Sequence, residues 1–444
     1  MHPRRRRTIR NWPILALLAI LSAAAAALLL ARMLSAPERS DGALLAIPGI
    51  GALARATALA QSGRDVVLES AAEVSDAIAQ AAPGDVLTLL PGRYTFGQSL
   101  RLARPGRPDS KITLRAMRAD EVFVDFATEQ GFIVTAPDWR VENLTIRGAC
   151  AAQADCEHAF HVVGEAARFA AINNTITDFN AHFKINGERG RFPDDGLIEG
   201  NTLSNGSVRE TGGSVTVIDM VGVNGWIIRR NLISEFVKGG GDRISYGAFA
   251  KGGGARNVFE QNVVICESRL RGAAGQRVGL SLGGGGSGKQ YCRDQQCITE
   301  QDQGVIRSNL IASCSDAGIY LNRAAGSRVL HNTLLDTTGI QARFGDTTGD
   351  VEGNLVDGQI AARNGASLRL RENRATAAAA LIVGQHPVRR LFADDGAALT
   401  WREAPPRRTT PTPALPDLCA VTRPQLAALG AFEDLAQCRQ KAAP

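Results

Sequence analysis

The sequence predicts an all-β solenoid of short parallel strands, and three observations predict it. One phrase recurs, an asparagine followed by apolar or β-branched residues and then a polar turn. It stands as "NLTI" at Asn143, "NTIT" at Asn174, "NTLS" at Asn201, "NLIS" at Asn231, "NVVI" at Asn262, "NLIA" at Asn309, "NTLL" at Asn332 and "NLVD" at Asn354, with a last asparagine at Asn373. Successive spacings fall between 19 and 31 residues except for one of 47, a period that describes coils stacked one on the next. Aromatic residues make up only 5% of the 444 residues while glycine contributes 47, a thin and turn-rich composition. The leucine spacing of leucine-rich repeats and the blade signature of propellers are both missing. Asparagine tolerates a left-handed corner and can pass side-chain hydrogen bonds from coil to coil, so the repeated asparagines are read as structural.

The elements follow in chain order. Arg4 to Arg7 precede an uncharged run, "WPILALLAILSAAAAALLLA", from Trp12 to Ala31. At about 1.5 Å per residue such a run crosses the roughly 30 Å hydrocarbon layer, and the preceding arginines set a cytoplasmic N-terminus. The expectation is one transmembrane helix in a bacterial inner membrane, with the solenoid in the periplasm. A cleaved signal peptide, giving a secreted protein, is the alternative. The chain divides into a basic stub and anchor (1–35), a linker (36–65), the solenoid (66–400) and a proline-rich linker with a disulfide-strapped tail (401–444). Export makes the eight cysteines disulfide formers: Cys150 with Cys156, Cys292 with Cys297 and Cys419 with Cys438 as local staples, and Cys266 with Cys314 between adjacent coils. No CxxC pair supports zinc.

"AEVSDAIAQAAPGDVLTLLPGRYTF" begins with a short amphipathic helix, Ala72 to Ala82, followed by a strand. It resembles the N-terminal cap of right-handed parallel β-helices, and that resemblance makes the solenoid a right-handed parallel β-helix. "RPQLAALGAFED" resembles a phrase that closes bacterial β-helix proteins, and "APPRRTTPTPALP" before it reads as an extended linker. The net charge of +6, partly spent in the Arg4–Arg7 cluster, argues against a nucleic-acid binder. "GGGGSGK" lacks P-loop spacing and no helix follows it, which argues against a nucleotide.

The strand before each asparagine ends, in turn, on Lys184, Asp219, Lys251, Gly283, Arg323, Arg343 and Arg363. Stacked strands lie about 4.8 Å apart, so counting back from the asparagines predicts one line of charge along the solenoid. Such a line either discourages sheet-edge association or forms a groove for an extended polyanion. Gly283 and Gly284 would admit a ligand close to the backbone, and the extra loop "SGKQYCRDQQCITEQDQ" would wall the groove.

"AFAKGGGARNVFEQN" is similar to the strand that carries the lysine base of the chondroitinase B and alginate lyase family of β-helix enzymes. "GIYLNRAAGSRVLHN" resembles the rung carrying that family's arginine. The resemblance implies a polysaccharide lyase that cleaves uronate-containing glycans by β-elimination, with Lys251 as base and Arg323 neutralising the carboxylate. An amine titrating near 10.4 needs cationic neighbours or partial burial to act at neutral pH. Lys184 in "AHFKING" is the second candidate base. Tyr246 and Tyr320 are candidates for the acid that protonates the leaving oxygen, or else packing residues. The family also uses calcium held by two glutamates before the lysine. This sequence has Ile244 and Tyr246 there, leaving Glu235, Asp242 and Asp219 as candidate calcium ligands. His158 and His161 in "EHAFHV" are read as a packed or solvent-facing pair, with metal binding the rival. Alternatives to the lyase are a uronate epimerase and a non-catalytic polysaccharide-binding or envelope scaffold protein.

Overall fold

Each coil contains three short runs in which apolar and polar side chains alternate, and each run pairs with its counterpart one coil away. The computed structural model describes residues 44–53, 63–284, 286–377, 385–393 and 399–438. In it the runs form three sheets of twelve, ten and eleven strands, paired in parallel. The twelve-stranded sheet runs from Asp65–Leu68 to Ser367–Arg371, the ten-stranded from Leu100–Leu102 to Gln359–Arg363 and the eleven-stranded from Gly92–Phe96 to Arg374–Ala375. Inside, like stacks on like. Phe132, Phe160 and Phe183 share one register, with ring centroids 4.8 and 5.2 Å apart, close to the strand spacing that parallel pairing imposes.

The asparagine ladder is present from Asn174 to Asn373. Each ladder asparagine is wired to the next. Asn262 Oδ1 accepts from Asn231 N and Nδ2 at 3.0 Å each, and Asn262 Nδ2 donates to Asn309 Oδ1 at 3.0 Å. The left-handed backbone, however, belongs to the residue before each of them: Gly200, Arg230, Gln261, Ser308, His331 and Gly353 all have positive φ, and Asn201 to Asn354 do not. "NLTI" is out of step by one residue. Asn143 takes the left-handed position, φ 61°, and Leu144 takes the ladder position, its N donating to Asn174 Oδ1 at 3.0 Å.

The N-terminal cap is a helix over Ala71–Gln80. Ser70 accepts from Glu73 N, and Glu73 accepts at 2.7 Å from the N–H of Glu69, the residue before the cap, and Val74 and Ile78 are buried against the first coils. All four expected disulfides are formed. A second apolar core lies outside the solenoid. Leu232, Val263, Ile265, Leu310 and Leu335 face outward from the eleven-stranded sheet and are covered by Leu44, Ile47 and Ile50 from one terminus and by Phe392, Leu418 and Phe432 from the other. The proline-rich segment is part of this cover and is docked. Glu372 accepts from Arg408 Nε at 2.8 Å and from Thr409 N at 2.6 Å. No helix among the described residues is long and apolar enough to cross a membrane, and Trp12–Ala31 lies outside those residues. The outer face of the ten-stranded sheet carries two clefts, of about 730 and 550 Å³.

Candidate active site

Outward positions of the ten-stranded sheet fall into two rows, and the predicted single line of charge is split between them. One row runs His161, Lys184, Asp219, Phe249, Ser281, Tyr320, Gln341. The other places Lys251 beside Val221, and then Asn322 beside Arg343 and Arg343 beside Arg363. Lys251 therefore sits two residues further along its strand than Lys184 and Asp219. Arg323 lies one residue past the in-register Asn322, with a left-handed φ of 54°. The reason is that Lys184 and Asp219 are not the last residues of their strands: Ala181–Asn186 and Val215–Val221 each run two residues further and end in register with Lys251.

The two lysines differ in what holds them. Lys184 Nζ lies 2.8 Å from Asp219 Oδ2, so its charge is matched. Lys251 has no carboxylate partner among the described residues, and its Nζ lies 4.4 Å from the centroid of the Phe249 ring. Tyr246 meets the same ring edge-on at 5.3 Å. Glycines make room for this amine. A Cβ at Gly284 would come within 2.9 Å of Lys251 Cδ. Beyond it, Gly252 and Gly253 turn with φ of 73° and 75° and donate to Glu300, through its Oε2 at 2.8 Å and its carbonyl at 2.9 Å.

The extra loop before Glu300 folds back over that glycine turn. Arg293 N donates to Gly252 O at 2.9 Å, and its guanidinium forks onto Asp194 at 2.7 and 2.8 Å over the Phe192 ring. Cys292–Cys297 closes the loop. The result is a cleft of about 730 Å³ whose lining includes Lys184, Lys251, His158, His161, Arg189 and Tyr291. Burial, with His161 and Lys184 alongside, pushes His158 down to about 3. Burial also lowers His161, whose ring nitrogens lie 2.9 Å from Gln130 Oε1 and 3.0 Å from Asn186 Oδ1. Burial thus disfavours the charged form of both imidazoles in a cleft otherwise supplied with cations.

A second cleft, of about 550 Å³, opens further along the same face and is lined by Tyr246, Tyr320, Arg343, Arg363 and Asp316 among others. Burial, then the nearby Tyr320, pushes the Tyr246 phenol up to about 12, so it stays protonated at neutral pH. The Tyr320 hydroxyl accepts from Asn322 Nδ2 at 3.1 Å. Arg323 lines neither cleft. Its guanidinium rests 5.4 Å from the Phe344 ring and 3.4 Å from Asp346.

The three predicted calcium ligands do not converge. Asp219 holds Lys184, Asp242 holds Lys238 at 2.7 Å, and Glu235 accepts from Arg269 N and Leu270 N at 2.9 and 3.0 Å. Among the described residues no set of three ligating side chains surrounds Lys251. Arg189, Arg293 and Tyr291 were not singled out by the sequence. Arg293 lay inside the loop that the 47-residue spacing marked, and that spacing was the available signal.

No protein-family model and no curated protein matches the chain. Among solved structures, a pectate lyase is similar over 84% of this chain and 97% of its own, at 14% identity and a TM-score of 0.58. The mannuronan C-5 epimerase A-module of Azotobacter vinelandii follows at 13% identity and a TM-score of 0.46, over 74% and 94%. A rhamnogalacturonan lyase stands at 13% and 0.42, over 71% and 84%. The chain has the right-handed parallel β-helix fold, the fold of the pectate lyase.

Proposed function

We propose that the protein is a lyase that cleaves an acidic, uronate-containing polysaccharide by β-elimination. The observation that carries this reading is Lys251, an amine without a carboxylate partner, held between an aromatic ring and glycines at the edge of a cationic cleft. Bound along the sheet face, a uronate would set its carboxylate against Arg189 and Lys184. The Lys251 amine takes the proton from the carbon beside the carboxylate. The electron pair left there forms the ring double bond as the bond to the leaving glycosidic oxygen breaks. Tyr246, which lines the adjoining cleft on the far side of the Phe249 ring from Lys251, supplies that oxygen's proton to a chain that runs across both clefts. General-base and general-acid groups of this kind each contribute about 10²- to 10⁴-fold.

The four disulfides support export, and we place the solenoid outside the cytoplasm, anchored by Trp12–Ala31. The test is incubation of the protein with a panel of polyuronates and glycosaminoglycans, with ultraviolet absorbance reporting new unsaturated uronate ends. A rise on at least one polymer is expected. Retained binding with no rise on any of them would mean a binding or scaffold protein, or an epimerase if the sugar's configuration changes without cleavage.

A further inference from the structure

On the side of the molecule where the C-terminal segment returns to the solenoid, two aspartates stand on stacked turns of consecutive coils. Asp336 follows the Thr333–Leu335 strand and Asp357 follows Leu355–Val356, which pairs with it. His386, from the returning segment, faces both: its Nδ1 lies 2.7 Å from Asp336 Oδ1 and 3.3 Å from Asp357 Oδ2. Arg389 takes the other oxygen of Asp336, donating through Nε at 2.7 Å. Asp357 is the informative member. Its side chain is fully buried, its Oδ1 has only a long contact of 3.4 Å from Val388 N, and its Oδ2 receives no hydrogen bond. A buried carboxylate with one oxygen unserved is costly and calls for a cation beside it.

We propose that Asp336, Asp357 and His386 bind one divalent metal ion that clips the C-terminal strap to the solenoid. A single N–H on His386 can serve the nearer carboxylate and leaves Asp357 Oδ2 unserved. A metal ion in place of that proton meets all three donors at once, and these atoms lie within 4.8 Å of one another. One imidazole nitrogen with two carboxylate oxygens suits zinc, whereas calcium and magnesium favour an all-oxygen shell. Asp336 and His386 are partly open to solvent, which leaves water to complete the shell. The ion joins two coils to a segment that arrives 29 residues after Asp357, so its role is structural. The site stands apart from the lysine cleft and does not depend on the lyase reading.

The test uses the untagged full chain, stripped with a chelator and then titrated with zinc alone. Elemental analysis and the thermal unfolding midpoint are the readouts. The expected result is one zinc per chain in excess of His386→Ala, with a midpoint several degrees higher on zinc addition in the wild type and no such rise in His386→Ala or Asp357→Asn. Should those variants fail to fold, the chelated and zinc-loaded wild type still provide the comparison. The proposal is overturned by no zinc uptake, by uptake that both variants retain, or by a midpoint that responds to pH but not to zinc, which would make His386 a protonated ion-pair partner.

Discussion

At the scale of single residues, the proposed chemistry rests on a contrast between two lysines, and each can be removed. Lys251→Ala is expected to lower turnover by roughly 10³-fold or more with little loss of binding, because a general base acts in the transition state. Lys184→Ala should instead weaken binding, since its partner Asp219 then remains as an uncompensated anion in the cleft. Tyr246→Phe removes the proton donor and keeps the ring contact with Phe249, so a fall in turnover of about 10²-fold at unchanged stability is expected. Sequence reading found both lysines because each lies at or near the end of a strand. It misplaced their register because Lys184 stands two residues before the end of its strand whereas Lys251 ends its own. Nor could it find the ion pair that ties up Lys184, a contact between side chains 35 residues apart.

At the scale of elements, the asparagine ladder and the extra loop do different work. The ladder sets coil-to-coil spacing. Asn262 is fully buried and bonds to both neighbouring coils, so Asn262→Ala strands several polar groups and is expected to cost about 3 kcal/mol in a denaturant titration. The extra loop shapes the cleft. Arg293→Ala removes its fork onto Asp194 and is expected to raise KM several-fold with little change in unfolding midpoint. The ladder was legible because identical side chains must stack at a fixed period. That the preceding residue carries the left-handed turn was not, because Arg230, Gln261, Ser308 and His331 give no compositional signal for positive φ. The loop announced itself by its length, and the cation it brings to the cleft only by being folded.

At the scale of the whole molecule, residues 44–50 and 388–438 supply side chains that cover one sheet, while the ten-stranded sheet carries the lysine cleft. That cover was partly legible as a tail with a disulfide, while its docking on apolar residues of the eleven-stranded sheet needed the coordinates. Stability should also carry a pH signature. His158, His182 and His331 are pushed down to about 3, chiefly by burial, against about 6.5 when unfolded. Between those values the unfolded chain binds more protons than the folded one, so stability rises with pH and is lost as pH falls from about 6.5 toward 3. Each histidine contributes a slope of up to about 1.4 kcal/mol per pH unit in that window. Thermal unfolding midpoints that stay level between pH 7 and pH 4.5 would refute this.

The measurement that bears most directly on the central claim is the rate of unsaturated product formation by the wild type, Lys251→Ala and Lys184→Ala on one polyuronate, with binding of that polymer measured on the same samples. The account predicts that Lys251→Ala binds the polymer but forms no product, while Lys184→Ala still forms product, at a raised KM. Full activity in Lys251→Ala, or loss confined to Lys184→Ala, would contradict it and move the base to the other row of the sheet.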